Sequence, residues 1–429
     1  MKKVLIITYY WPPSGGGGVM RWLKMSKYLP DFGWRPIIFT PKNPDPSIID
    51  ESLIDEIHPQ IETIKIPIWE PYRLFRLVKG IKKNEKFKPG YISEASSGNW
   101  FSKISVFIRG NMLIPDPRKF WINPSVKYLT NYLAKNPVDL IISTGPPHSM
   151  HLIALNLKKK IDVKWIADFR DPWTSIDFYD KLKLTKWADK KHHTLERKVI
   201  EAADHVVTVS PNCARDLNVV PGKTVKVIHN GYDPEDFLTV DSVLDPDFSI
   251  THFGALNRDR NPSALWKALG SFAAKDKTFK EKLRIQLIGQ VDEKIIKEIA
   301  DNDLQNNLTL INHLPHKKGL QILAKSQVLL LAINNSLNAK GILPGKMYEY
   351  MALKRPILAI GPTDSDFAEI ISNTRIGVAV DFDNYTELQK ILNDLFNSYL
   401  EHNLAVSSNS IESYSRKNLA KKYIDLASQ

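Results

Sequence analysis

The sequence predicts an α/β protein made of two doubly wound domains. The chain has 429 residues, too many for one ordinary hydrophobic core. Short β-branched runs alternate with helical patterns along its length, which predicts parallel sheets covered by helices on both faces. An Asp- and Pro-rich stretch, "HNGYDPEDFLTVDSVLDPDFS", separates two sets of such alternations and places a linker near residues 231–247. The expected domains are therefore 1–235 and 236–410, and there is no internal repeat of fixed period.

The opening, "MKKVLIITYYWPPSGGGG", puts lysines before an apolar stretch as a secretory leader does. That stretch is short, contains Thr8, Tyr9 and Tyr10, and lacks a small-residue cleavage site, so it reads as a buried first strand. "RPIIFT", "DLIISTG", "KWIADFR", "HVVTVS" and "VKVIHNG" supply the other strands of the first set. In the second, "FSITHFGAL" leads to the helix "PSALWKALGSFAA", then "LRIQLIGQ", the helix "EKIIKEIADN", "LTLINHL", the helix "KGLQILAKS" and "QVLLLAIN". "ILAIG", the helix around "SDFAEIIS" and "GVAVDF" complete it.

Composition narrows the function classes. The single cysteine, Cys213, excludes an internal disulfide and a thiolate metal cluster, and fits a reducing cytoplasm. No apolar run approaches the ~20 residues that span a bilayer. The formal net charge of +12 is concentrated in residues 71–120, which hold eleven Lys or Arg against three Asp or Glu, interleaved with Phe75, Tyr91, Trp100, Phe101, Phe107 and Phe120. Such a segment suits an anionic membrane surface or a phosphorylated substrate. No nucleic-acid-binding module accompanies the charge, so nucleic acid is not an expected partner.

Ligands of doubly wound domains gather beyond the carboxyl ends of the strands, so three loops matter most. The first, "PPSGGGGVMR", contains Gly16, Gly17 and Gly18, which leave backbone amides open to a ligand at a helix start. It lacks the dinucleotide fingerprint, because Met20 stands where a glycine is needed and no acidic residue ends "RPIIFT"; a nicotinamide or flavin cofactor is disfavoured. The second, "FGALNRDRNP", sets Arg258 and Arg260 where two guanidiniums suit a diphosphate.

The third is "GILPGKMYEYMALKRPILA", in which Gly341 and Gly345 bracket Pro344, expected at the first helical position. Lys346 then sits at the positive end of the helix, where a cation is unfavourable by a few tenths to about 1 kcal/mol unless an anion joins it. The magnesium-binding phosphate loop is not matched, since Met347 replaces the hydroxyl residue, so a phosphate held without that metal is expected. Glu349, three residues on from Lys346, is placed to accept hydrogen bonds from sugar hydroxyls.

Taken together, "YYWPPSGGGG", "DFRDPW", "HNGYD", "LPHKKGLQILAKSQVLLL", "PGKMYEYMALKRPILA" and a closing "YSRKNLAKKYIDLA" resemble glycosyltransferase family 4, retaining enzymes of the GT-B fold. The resemblance implies two Rossmann-like domains facing a central cleft, with a terminal helix, 411–429, crossing back to the first domain. It implies a nucleotide-sugar donor of UDP or GDP type held mainly by the second domain. A saccharide or lipid-linked acceptor in cell-envelope or exported polysaccharide synthesis would lie mainly on the first. No metal or other cofactor is expected, and the protein is expected in the cytoplasm or on the inner membrane face.

By the same resemblance, Arg258, Arg260 and Lys346 stabilise the departing diphosphate, Glu349 contacts the ribose, and His148 lines the reaction centre. Asp168, Arg170 and Asp171 of "DFRDPW" are expected to face the cleft on the acceptor side. The family's first signature glutamate is replaced by Gly341, so its contact with the donor sugar falls to "GILPGK". That replacement leaves one alternative, a nucleotide-sugar-binding partner with little turnover; a nucleotide-sugar epimerase on the same fold is another.

Overall fold

In a computed structural model, the described residues are 1–46, 48–71, 100–176, 179–238, 240, 243–312, 314–336 and 339–429. Most of the basic stretch, 72–99, with Phe75 and Tyr91, lies outside them. The chain divides into a first unit, Met1–His229 with Lys417–Gln429, and a second unit, Asn230–Arg416.

The lysine-led apolar opening is a buried strand, β1 (Lys2–Ile7), whose Val4, Leu5, Ile6 and Ile7 are fully buried. An apolar residue at every position is what a strand covered on both faces requires. β1 lies inside a seven-stranded parallel sheet with β2 (Trp34–Pro41), β3 (Glu62–Ile66), β4 (Leu140–Gly145), β5 (Lys164–Phe169), β6 (His205–Thr208) and β7 (Val225–Val227), in the order β3-β2-β1-β4-β5-β6-β7. The sequence reading omitted β3. It is an edge strand paired only with β2. Its core side chains are Ile64 and Ile66, so "ETIKI" shows no continuous apolar run.

The helices of this unit are α1 (Gly17–Ser26), α2 (Trp100–Asn111), α3 (Ile122–Lys135), α4 (Ser149–Lys158), α5 (Lys186–Ala202) and α6 (Pro211–Leu217). The terminal helix, α14 (Arg416–Ser428), follows a short 3-10 turn at Ile411–Tyr414, so the continuous helix starts later than residue 411. Leu419, Ala420, Tyr423 and Ile424 of α14 join Val19, Trp22 and Leu23 of α1 in one buried cluster, which makes the last residues of the chain part of the first unit.

The second unit repeats the plan with β8 (Phe248–Phe253), β9 (Leu283–Ile288), β10 (Leu308–Ile311), β11 (Val328–Ala332), β12 (Ile357–Ile360) and β13 (Gly377–Val380), ordered β10-β9-β8-β11-β12-β13, all pairs parallel. Its helices are α7 (Ser263–Lys275), α8 (Lys277–Lys282), α9 (Glu293–Asp301), α10 (His316–Lys325), α11 (Gly345–Leu353), α12 (Asp366–Thr374) and α13 (Tyr385–Leu400). Strand order reverses at β1/β4 in one unit and at β8/β11 in the other, and a doubly wound sheet opens a crevice at such a reversal. Among the described residues, no helix is long and apolar enough to cross a membrane.

Candidate active site

In the second unit, cations gather at the β8/β11 reversal. Gly254 directly follows β8; its φ of +114° would strain a side chain, and a Cβ there would meet the Lys346 ammonium at 3.0 Å. Lys346 is the second residue of α11, and the helix is held in place by buried Met347, Tyr348, Tyr350 and Met351. The amide of Phe253 donates to the Tyr350 hydroxyl at 3.0 Å, which fastens α11 to the end of β8. Pro344 is the N-cap residue, one position earlier than expected, and no side chain caps this helix start.

Lys346 Nζ lies 3.3 Å from Nε2 of His252. The His252 ring is fully buried with Nδ1 donating to the Leu330 carbonyl at 3.0 Å, which leaves the Nε2 lone pair to face the ammonium. Burial, together with the neighbouring Lys346 charge, holds His252 well below the ordinary histidine range. Burial and then Arg260 lower the Lys346 pKa to about 7, against an opposing pull from Glu349. A helix N-terminus, a desolvated lysine and a guanidinium thus converge, the electrostatic signature of an anion site.

Arg260 crosses the reversal itself, Nε donating to Asn334 Oδ1 at 2.9 Å and Nη1 to the Ala255 carbonyl at 3.2 Å. Arg258 instead forms a half-exposed ion pair with Asp292 at 3.1 Å. Glu349 is paired with His316 Nε2, the first residue of α10, at 2.9 Å. Gly341 closes a 3-10 turn at Ala339–Gly341, and Gly345 begins α11 with open space around its Cα. The sequence reading singled out none of His252, Gly254, His316 and Asn334. A histidine inside the apolar run "FSITHF" was the one available signal.

The first unit corrects two expectations. Asp168 does not line a cleft: it is fully buried and all of its acceptor capacity is used. Its Oδ1 accepts from Arg21 Nη2 at 3.1 Å and the Tyr423 hydroxyl at 2.8 Å. Oδ2 accepts from Arg21 Nε at 3.1 Å, Trp22 Nε1 at 2.8 Å and Thr144 Oγ1 at 3.0 Å. Burial raises the Asp168 pKa, but Arg21 and these donors outweigh it and hold the carboxyl below its ordinary range. Arg170 is likewise committed, donating to the carbonyls of Gly18, Pro146 and Gly145. It therefore fastens the glycine loop to the β4–α4 turn rather than presenting a free guanidinium. Asp171, between these buried groups, is exposed.

The glycines of the first loop differ in what they permit. Gly16 is the N-cap of α1 with φ +86°, and Gly17 has open space. A Cβ on Gly18 would press on Tyr10 at 3.0 Å and on Arg170 at 3.3 Å, so close packing demands this glycine. His148 precedes α4 with its ring stacked on Trp173, centroids 4.8 Å apart and planes at 3°. Its Nδ1 is buried without a hydrogen-bond partner, and burial, then His151 and Arg170, push its pKa well below the ordinary value. His151 lies fully inside, bonded to Ser143 Oγ at 2.8 Å.

His148 and Trp173 wall a pocket of about 90 Å³ shared with Pro146, His192, Tyr179 and Arg109. Trp173 Nε1 donates to His192 Nδ1 at 3.0 Å, so the His192 proton is on Nε2, which donates to the Gly110 carbonyl at 3.1 Å. Arg109 and Asp116 stand among these rings in the lining. Four Asp-x-Asp strings occur, at Asp245/Asp247, Asp301/Asp303, Asp364/Asp366 and Asp381/Asp383, and each has a member engaged within the protein: Asp247 pairs with Arg284, Asp301 with Lys297, Asp364 with Lys340, and Asp381 accepts from the Thr363 hydroxyl. Among the described residues, no group of three or more His, Cys, Asp or Glu side chains is placed to hold a metal ion.

Two family models match in tandem, Glycosyltransferase Family 4 over residues 92–236 and Glycosyl transferases group 1 over residues 241–413. Sucrose-phosphate synthase from Thermosynechococcus elongatus is similar over 100% of this chain and 99% of its own, with TM-score 0.64 and 14% identity. A glycosyltransferase from Rickettsia africae matches over 99% and 97%, with TM-score 0.61 and 15% identity. HepE from Anabaena, solved in complex with UDP-glucose, matches over 100% of both chains, with TM-score 0.59 and 13% identity. No curated protein matches by sequence. The architecture is that of the GT-B glycosyltransferases. Within them, the chain belongs to glycosyltransferase family 4.

Proposed function

We propose that the protein is a retaining glycosyltransferase that moves a sugar from a UDP- or GDP-sugar to a saccharide or lipid-linked acceptor in cell-envelope or exported polysaccharide synthesis. The observation that carries the reading is Lys346, desolvated in the first turn of α11 beside Arg260 at the β8/β11 reversal. A nucleotide diphosphate supplies the negative charge that a desolvated lysine at a helix N-terminus favours. In transfer, the bond between the anomeric carbon and the diphosphate oxygen breaks, and the electron pair leaves with the diphosphate. Lys346, Arg260, Arg258 and the amides of α11 stabilise that developing charge. The acceptor oxygen bonds to the anomeric carbon from the same face, and its proton passes to the departing phosphate.

Glu349, held by His316, is the proposed ribose contact, and amides of Gly341 and Gly345 take over the sugar contact of the absent carboxylate. Gly16, Gly17 and Gly18 are further proposed donor contacts. His148, which lines the pocket, and the exposed Asp171 are proposed on the acceptor side. The reaction is proposed to need no metal, and residues 71–120 to bring the protein to the inner membrane face. An S. aureus TarM variant solved with fondaparinux, alpha-GlcNAc-glycerol and UDP shows that a protein of similar fold takes these ligand classes.

Calorimetric titration with UDP, GDP and ADP in chelator tests the reading. One nucleotide should bind, and Lys346→Ala should weaken it by roughly 10- to 100-fold, the worth of a charge-assisted contact. No binding to the folded protein would remove the donor site. Nucleotide binding without transfer to any acceptor would favour the binding-partner alternative.

A further inference from the structure

Two buried imidazoles of the first unit each turn an unpartnered nitrogen toward the same spot. His148 Nδ1 and His151 Nε2 make no hydrogen bond, and the ring centroids lie 5.7 Å apart. A Cβ on Gly145 would stand 2.9 Å from the first nitrogen and 2.6 Å from the second, so both flank a space that the glycine leaves open. Hydrogens on both nitrogens would set two positive N–H ends against each other, and lone pairs on both would set two negative ends together. One donor facing one acceptor is the favourable arrangement.

The far side of His151 decides which ring is the donor. Ser143 Oγ accepts from Trp165 Nε1 at 2.9 Å, and an indole nitrogen can only donate. His151 Nδ1, 2.8 Å from the same oxygen, is then the acceptor for the Ser143 hydroxyl hydrogen. A hydrogen on Nδ1 would instead strand that hydroxyl, which is fully buried, without an acceptor. Burial keeps His151 uncharged, its pKa lowered to about 3, so the ring bears one hydrogen and carries it on Nε2. That N–H faces His148 Nδ1.

We propose that Ser143 and His151 are positioning residues that lock His148 as the Nε2–H tautomer, so that His148 meets a pocket ligand as a hydrogen-bond donor and not as a proton acceptor. His148 lines the pocket while its Nδ1 is turned to His151, which leaves Nε2 as the nitrogen for a ligand. His192, the other histidine of the lining, already spends both nitrogens, on Trp173 and on the Gly110 carbonyl. The fitting partner is a neutral oxygen with a free lone pair. On the glycosyl-transfer reading that oxygen belongs to a sugar hydroxyl or ring, and His148 is not the base that removes the acceptor proton. The tautomer lock itself does not rest on that reading.

Nitrogen-15 spectra of the full chain, labelled on histidine, read the tautomer of each ring from couplings to its carbon-bound hydrogens. Spectra of His148→Gln and His151→Phe assign the two rings by subtraction. At neutral pH the wild type should show both His148 and His151 as the pure Nε2–H form. Ser143→Ala frees His151 from its hydroxyl donor, and His151→Phe removes the facing N–H while keeping a ring of similar shape. In each variant, shown to be folded by its unfolding transition, His148 should pass from one tautomer to a mixture of two. The proposal is overturned if wild-type His148 carries its hydrogen on Nδ1, a result that needs no variant to fold. It is equally overturned if His148 stays purely Nε2–H in either folded variant, because the lock would then lie elsewhere. The spectra need no ligand, so a failed nucleotide titration and a failed tautomer lock are separate results.

Discussion

At the scale of single residues, two buried charges play opposite parts. Lys346 is a cation whose environment disfavours its charge, with a pKa lowered to about 7. Between that value and the ordinary lysine pKa the folded state has released a proton that the unfolded state still binds, so this group adds stability as pH rises through the window. An anionic ligand reverses the preference. Nucleotide binding above pH 7 should therefore take up a proton and weaken with rising pH, whereas below pH 7 the uptake should vanish. Calorimetry in buffers of different ionisation enthalpy measures this directly, and pH-independent binding with no proton uptake would remove Lys346 from the site.

Asp168 is the reverse case, a carboxylate whose partners outweigh its burial. Its contribution is complete above the unfolded carboxyl pKa and is lost only as pH falls through the lower folded value. Asp168→Asn leaves Arg21 buried without its counter-charge and should cost about 3–5 kcal/mol, read from the denaturant midpoint. A shift under about 1 kcal/mol would mean that Arg21 finds other partners, its bonds to the Ile228 and His229 carbonyls being the first candidates.

At the scale of elements, the end of β8 and the start of α11 form one device. The positive φ at position 254 favours glycine, a side chain there would press on the Lys346 ammonium, and the Tyr350 hydroxyl holds the helix against the strand. Gly254→Val should destabilise the protein by roughly 1–3 kcal/mol through its positive φ and also displace the ammonium. Both the unfolding midpoint and the nucleotide affinity should fall; an unchanged affinity would separate Gly254 from the site. In the first unit α14 plays a comparable part, because Tyr423 brings its hydroxyl to Asp168 and Arg21 while its neighbours seal the core over α1.

At the scale of the whole molecule, each unit has its own hydrophobic clusters, on both faces of its own sheet. Scanning calorimetry should resolve two transitions, and the bound nucleotide should raise chiefly that of the second unit. A ligand that binds the native form alone stabilises by mass action, about 2.7 kcal/mol at one hundred times Kd. Lys346→Ala should abolish the shift. A nucleotide that raises the first unit's transition alone would place the anion site elsewhere.

The two doubly wound sheets were legible in the sequence because period and length are local properties. Apolar runs such as "KVLII" and "VLLLA" declare strands buried on both faces, and Lys346 declared itself as a cation at the wrong end of a helix. The edge strand β3 was not legible, because an edge strand alternates and carries little apolar signal. Nor could the sequence separate Asp168, Arg170 and Asp171, three polar residues within four positions, into an interior anchor, a loop clamp and an exposed carboxylate. That sorting depends on partners far along the chain: Asp168 waits for Arg21 and Tyr423, and Arg170 for Gly18. The sequence by itself determined the fold class and the place of the candidate anion site. Only the tertiary structure decided which charges are spent inside the protein and which are left for a ligand, because burial and pairing are properties of distance in space.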